Sequence, residues 1–135
     1  MFELAESSRV SGVVNVILVH PGLEVGRRYV DWLGMDGGRC LIWLPDLSRV
    51  DNLPSAFGLL LLDSMVALRI TQRTFAGIKA RSAGKIVVLA EEPRIAEAVG
   101  IIRRGADDYQ GYPGAREALR ALVDHWISAE DSAYC

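Results

Sequence analysis

The sequence predicts an α/β fold: a five-stranded parallel sheet with helices on both faces. Short apolar runs recur along the chain, they are nearly continuous rather than alternating, and segments of helical spacing separate them. A strand buried on both faces of a parallel sheet needs apolar side chains in both directions, which yields such continuous runs. Strand and helix in alternation argue for a parallel sheet whose crossovers carry helices over both faces.

The first run is Val14 to Val19. Leu23, Val30 and Leu33 then share a helical face after Pro21-Gly22. Cys40 to Leu44 is the second strand, and the segment Leu47 to Ala56 is the weakest, with Pro54 interrupting any helix there. Leu59 to Leu62 would suit a helix by propensity alone, but Phe57-Gly58 before it and Asp63 after it make it the third strand. Val66, Ile70 and Ile78 form the apolar side of the next helix, and Ile86 to Leu89 is the fourth strand. Ile95, Val99 and Ile102 follow Pro93, a residue suited to a helix start. Asp108-Tyr109-Gln110 is a weaker fifth strand, and Leu119, Leu122 and Trp126 line a last helix beginning near Pro113. Gly34, Gly84 and Gly105 stand where helices should stop. Right-handed crossovers limit the topology, and the expected strand order is the flavodoxin-like 2-1-3-4-5. The chain reads as one domain over 1–135, with an ordered core of about 13–128 and frayed ends at Met1 to Gly12 and Ser128 to Cys135.

Composition narrows the function. Half of the residues are hydrophobic and the net charge is −2, so the chain can bury a core and offers no basic footprint for nucleic acid. No apolar run is long enough to span a bilayer, and the N-terminal stretch with Glu3 and Glu6 does not resemble a signal peptide. Cys40 and Cys135 make neither a disulfide framework nor a metal-spaced cluster, so a cytoplasmic location is expected. Trp32, Trp43 and Trp126 read as packing residues of the core or its rim.

In a sheet of this order, reactive groups gather beyond the carboxyl ends of the strands. Those ends carry His20-Pro21, Pro45-Asp46, Asp63-Ser64, Ala90-Glu91-Glu92 and Gly111-Tyr112-Pro113. Here a family resemblance enters. Gly105 to Pro113 resembles the segment of response-regulator receiver domains that reads Gly-Ala-Asp-Asp-Tyr, two variable residues, then Lys-Pro. Leu60-Leu61-Leu62-Asp63 resembles the strand that delivers their phosphoacceptor aspartate, and Val14 to Ile127 follows their order and spacing.

The resemblance implies an acidic pair after strand one for Mg²⁺, an aspartate after strand three, a Ser or Thr after strand four, an aromatic on strand five, and a Lys before a proline. Asp63 fills the phosphoacceptor position and Tyr109 that of the switch aromatic. His20 and Pro21 replace the acidic pair, Ala90 the hydroxyl residue and Tyr112 the Lys, while Pro113 resembles the proline that commonly follows a cis bond. Mg²⁺ wants oxygen ligands, and phosphoryl transfer relies on charge neutralisation, so Mg²⁺ binding and family-type phosphorylation are not expected. No cofactor is expected. Asp63 would otherwise cap a neighbouring helix, and His20 would be its proton-sensitive partner or a plain loop residue. Glu91, Glu92 and Asp46 either build a substitute metal site with Asp63 or mark helix starts. Tyr112 is either a plug in the vacated pocket or a surface aromatic. Tyr109 has room to stay buried beside Ala90.

The expected function is that of an atypical, phosphorylation-independent regulatory module acting by protein contact. A homodimer or partner contact would use helix four, strand five and helix five, through Glu97, Arg103, Arg104, Asp107, Asp108, Arg116 and Arg120. The alternative is an ordinary solvated face. An attached output domain, such as that of a transcriptional regulator, fits the resemblance. No enzyme is expected, since no nucleophile–base pair or phosphate-cradling loop is evident. The alternatives are a conventional switch phosphorylated at Asp63, with Glu24 or Glu91 standing in for the missing acids, and a small-molecule sensor using the vacated pocket.

Overall fold

The structure, a computed structural model, describes residues 15–34, 40–47, 57–81 and 84–127. The ends read as frayed, and most of the weak segment Leu47 to Ala56, lie outside the described residues. Five strands, β1 (Asn15–Val19), β2 (Cys40–Leu44), β3 (Leu59–Asp63), β4 (Lys85–Ala90) and β5 (Asp108–Gly111), pair in parallel in the order β2-β1-β3-β4-β5. The helices are α1 (Leu23–Gly34), α2 (Ser64–Ala67), α3 (Gln72–Arg81), α4 (Ile95–Arg104) and α5 (Arg116–Trp126). Among the described residues, no helix is long and apolar enough to cross a membrane.

The apolar runs of β1, β3 and β4 do what a two-sided strand requires, whereas β2, at the edge of the sheet, is only partly buried, with Ile42 37% exposed. Leu60 and Leu62 of β3 point into one core, with Ile17, Val19, Ile86 and Val88, packed on Phe75 and Ile78 of α3 and Ile101 of α4. Leu59 and Leu61 point into the other, with Val16, Leu18, Val87 and Leu89, packed on Tyr29 and Leu33 of α1 and Leu119, Leu122 and Val123 of α5. All five β3 residues are buried, and that burial overrides the helix propensity of four successive leucines.

Three helical expectations need correction. In α1 the buried residues are Gly26, Tyr29 and Leu33, whereas Leu23 and Val30 are exposed. Glycine at 26 lets the helix sit against the Trp43 indole of β2, which displaces the apolar face by a fraction of a turn. The segment after β3 is two helices: Leu68 and Arg69 turn the chain after α2, and Thr71 accepts the Thr74 N–H on its hydroxyl at the start of α3. In α4 the stripe Ile95, Val99 and Ile102 faces solvent, and Ile101 is the buried residue. Gly105 closes α4 with φ of 130°, a conformation in which a side chain would be strained.

The contact at Gly26 generates a paired prediction. A Cβ added there would lie 2.3 Å from a Trp43 ring carbon, while one at Gly77 in α3 would meet nothing within 4 Å. Gly26→Ala is expected to lower stability by about 1–3 kcal/mol through overpacking. Gly77→Ala is expected to raise it by about 0.5–1 kcal/mol through helix propensity. Urea midpoints measure both, and equal shifts would contradict the packing described for α1.

Candidate functional site

Asp63 is the last residue of β3, and only 6% of it is exposed. A carboxylate so placed must have its oxygens satisfied, because burying an unpaired charge is very costly. One oxygen is met locally. Asp63 is the N-cap of α2, with extended backbone (φ −61°, ψ 138°), and its Oδ2 accepts the Met65 N–H at 3.1 Å. The other is met from the far side of the sheet, where the Tyr112 hydroxyl donates to Oδ1 at 2.5 Å. That length is typical of a charge-assisted O–H···O⁻ bond.

Tyr112 follows β5, and its N–H donates to the Ala90 carbonyl at 3.2 Å, extending the β4–β5 pairing by one residue. Its ring sits edge-on to those of Tyr29 and His20, with centroids 6.1 and 5.6 Å away. Tyr29 in turn donates from its buried hydroxyl to the Pro113 carbonyl at 2.9 Å and stacks on Trp32. Burial pushes the Tyr112 hydroxyl far above the ordinary phenol value, and the hydrogen bond to Asp63 and the charge of Asp63 push it further. Burial likewise raises Tyr29, opposed by the Arg28 charge. The phenol of Tyr112 therefore stays a donor wherever the fold persists.

His20 follows β1. Its N–H donates to the Leu44 carbonyl of β2 at 3.0 Å, and its own carbonyl accepts the Trp43 indole N–H at 2.8 Å. The imidazole Nδ1 accepts the Gly22 N–H at 2.8 Å, so in the neutral ring the proton sits on Nε2. That nitrogen lies 3.8 Å from Asp63 Oδ1, too far for a hydrogen bond but close enough for charge attraction when the ring is protonated.

His20, Pro21, Asp63, Glu91 and Glu92 line one open depression of about 690 Å³, with Arg94, Glu97 and the exposed Met65 and Leu68. A second hollow of about 330 Å³ is lined by Tyr112 with His20, Arg28, Tyr29, Glu91 and Pro113. Asp46 lines a different pocket, with Leu47, Val66 and Arg69. Among the described residues no three His, Cys, Asp or Glu side chains are grouped to hold a metal ion. Glu24 lies in the first turn of α1 and is exposed. Ala90 is buried and supplies no hydroxyl.

Tyr109 is half-buried rather than enclosed. Its hydroxyl donates to Glu97 Oε1 at 2.5 Å and accepts the Arg94 N–H at 3.1 Å, which ties β5 to the start of α4. Desolvation and the bond to Glu97 raise its ionisation, with the Arg94 N–H opposing. Three residues expected on an outer charged face are thus committed elsewhere. Glu97 holds Tyr109. Arg104 donates to the Leu68 and Ile70 carbonyls at 3.2 and 3.5 Å. Asp107 accepts from Lys79 Nζ at 2.7 and 2.6 Å and from the Ile86 N–H at 2.8 Å. Arg103, Arg116 and Arg120 are exposed, and Asp108 is half-buried. No peptide bond of the described residues is cis, so the bond before Pro113 is trans. The trans form is the ordinary one even before proline.

The sequence carries no sign that Tyr29 and Trp43 support this region, or that Lys79 holds Asp107 at the opposite end of the sheet. Their partners lie 84, 23 and 28 residues away in sequence, and only the general need of a buried hydroxyl or indole for a partner hints at them.

Two measurements check this geometry. Tyr29→Phe leaves the Pro113 carbonyl without its donor, so a loss of about 1 kcal/mol is expected in urea unfolding; no loss would contradict the bond. The raised Tyr112 phenol favours the folded state below the ordinary value near 10, and that contribution is lost as pH rises above it. The tyrosinate absorbance that Tyr112→Phe removes should therefore appear only together with loss of helical signal. Its appearance in the folded chain near pH 10 would contradict the burial.

No protein-family model matches the chain, and no curated protein matches it. Solved structures do. A two-component response regulator from Clostridium difficile superposes with a TM-score of 0.70 at 13% identity, covering 87% of this chain and 98% of that one. An orphan response regulator of H. pylori gives 0.69 at 20% identity, with 87% and 98% covered. An atypical orphan response regulator, whose structure revealed a phosphorylation-independent regulatory mechanism, gives 0.65 at 20% identity, with 83% and 93% covered. Strand order, helix placement and these matches together give the chain the fold of response-regulator receiver domains.

Proposed function

We propose that the chain is a signalling domain of receiver type that works without phosphorylation, by contact with protein. The observation that carries this reading is the Tyr112 hydroxyl on Asp63 Oδ1 at 2.5 Å, with Met65 N–H on Oδ2. An attacking carboxylate needs a free oxygen and nearby positive charge to receive a phosphoryl group. Both Asp63 oxygens are engaged here, and the position of the family Lys is held by a neutral phenol. His20 and Pro21 bring no carboxylate to the Mg²⁺ side. The likeness to an atypical orphan regulator is in keeping with this. On this reading no residue is catalytic, no cofactor is bound, and the domain serves in the cytoplasm as the regulatory part of a longer regulator or alongside an output domain.

Beryllofluoride with Mg²⁺ mimics the acyl phosphate, and Trp43, which holds the His20 carbonyl, reports on the site. Its fluorescence and the amide spectrum are expected to stay unchanged through the titration. A saturable change lost in Asp63→Asn would overturn the reading in favour of a conventional switch.

The hollow of about 330 Å³ beside His20, Tyr29 and Tyr112 favours one second reading, a small-molecule sensor. Its size is at the lower end of ligand sites. A ligand there would compete for the ring contacts of Tyr112, and thermal-shift screening that leaves the melting temperature unmoved would remove this reading.

A further inference from the structure

The open depression at the end of β3 holds an excess of negative charge. Asp63, Glu91, Glu92 and Glu97 line it, against Arg94 and the imidazole of His20. Asp63 and Glu97 each accept a hydrogen bond from a phenol, and a neutral donor satisfies an oxygen without cancelling the charge. Glu91 has no hydrogen bond or ion pair among the described residues. Glu92 pairs with Arg94 at 3.8 Å, but the two side chains are 84% and 72% exposed, so that pair is weak and open to exchange.

A second feature is independent of charge. Ser64, the first residue of α2, lines the same depression and is 6% exposed, yet its hydroxyl has no hydrogen-bond partner among the described residues. Buried side-chain hydroxyls are nearly always bonded, so an orphan in the wall of an open depression calls for a group that enters it. Met65 and Leu68, three residues apart on one side of that helical turn, add apolar surface at the rim and are 61% and 40% exposed.

These features select the chemistry of the occupant. A hard divalent ion needs several oxygens converging on one point. No three acidic or His side chains of the described residues are so grouped. The acids are instead distributed over the end of β3, the segment after β4 and the first turn of α4. Distributed carboxylates are matched by a cation whose own charges are distributed along an apolar chain. An ammonium group has three donors and no acceptor, so it can serve a carboxylate and the Ser64 oxygen together. The depression, at about 690 Å³, is of a size that holds such a molecule.

We infer that this depression binds a small organic polycation of the aliphatic polyamine class. Its ammonium groups meet Glu91, Asp63 and the Ser64 hydroxyl, and its methylenes lie on Met65 and Leu68. Tyr112 need not leave Asp63, because each carboxylate oxygen accepts two hydrogen bonds. The inference goes beyond the protein-contact reading and is separable from it: a chain that ignores a polyamine fails this inference alone, and the beryllofluoride titration tests the other.

Calorimetric titration of the full chain with spermidine, at roughly 150 mM NaCl to screen exposed charges, tests it. Saturable one-to-one binding is expected. Glu91→Gln and Ser64→Ala should each weaken it about threefold or more, with the circular dichroism of the fold retained. Asp124→Asn removes the same charge from the last turn of α5, away from the depression, and should leave the affinity within about 1.5-fold. Mg²⁺ equimolar with spermidine should not displace it. An isotherm that does not saturate, displacement by Mg²⁺, indifference to Ser64→Ala, or equal weakening by Glu91→Gln and Asp124→Asn would each overturn the proposal.

Discussion

Asp63 is a carboxylate at the end of a strand whose other residues are all leucine, with a few per cent of its surface in water. In such a place the free energy of the fold depends on where the two oxygens find donors, because an unmet buried charge costs several kcal/mol. The chain supplies one donor from the next turn and one from the far strand. The Met65 N–H belongs to the start of α2, so the carboxylate also begins that helix. The Tyr112 hydroxyl comes from 49 residues away, so the same side chain ties β3 to the segment after β5.

Much of the surrounding structure keeps that phenol in place. Tyr29 buttresses Tyr112 by its ring and holds the Pro113 carbonyl by its hydroxyl. Gly26 lets α1 approach the Trp43 indole, and the same indole grips the His20 carbonyl, which sets the imidazole beside Asp63. The aromatic residues form a bracket around one acid, where a phosphate-handling site would need cations and metal-binding oxygens. At the opposite end of the sheet, the Lys79–Asp107 pair and the Ile86 N–H lock the approach to β5, a stabilising role for the first aspartate of the Gly-Ala-Asp-Asp-Tyr segment.

The strands were legible because burial on two faces leaves an unmistakable run such as Val16 to Val19 or Ile86 to Leu89. The cluster at the strand ends was legible because topology alone brings His20, Asp63, Ala90 and Tyr112 to one edge. Helix faces were less so. In α1 the inward position of Gly26 carries no hydrophobic signal, and in α4 the more apolar side is turned to solvent, so reading apolar spacing as inward fails for Ile95, Val99 and Ile102. The roles of Asp107, Arg104 and Glu97 were hidden because charged residues look alike in sequence whether they meet solvent or a distant lysine, carbonyl or phenol. The break between α2 and α3 was hidden for a related reason, since Val66, Ile70 and Ile78 fit one helical line as well as two.

Everything assigned to this site depends on the bond between Tyr112 and Asp63 being a real energetic coupling and not mere proximity. A double-mutant cycle with Tyr112→Phe and Asp63→Asn, read by urea unfolding at pH 7, measures that coupling directly. A bond from a hydroxyl to a buried carboxylate should give a coupling of about 1.5 kcal/mol or more. Additive effects of the two substitutions, within about 0.3 kcal/mol, would contradict the account and leave Asp63 an open acid.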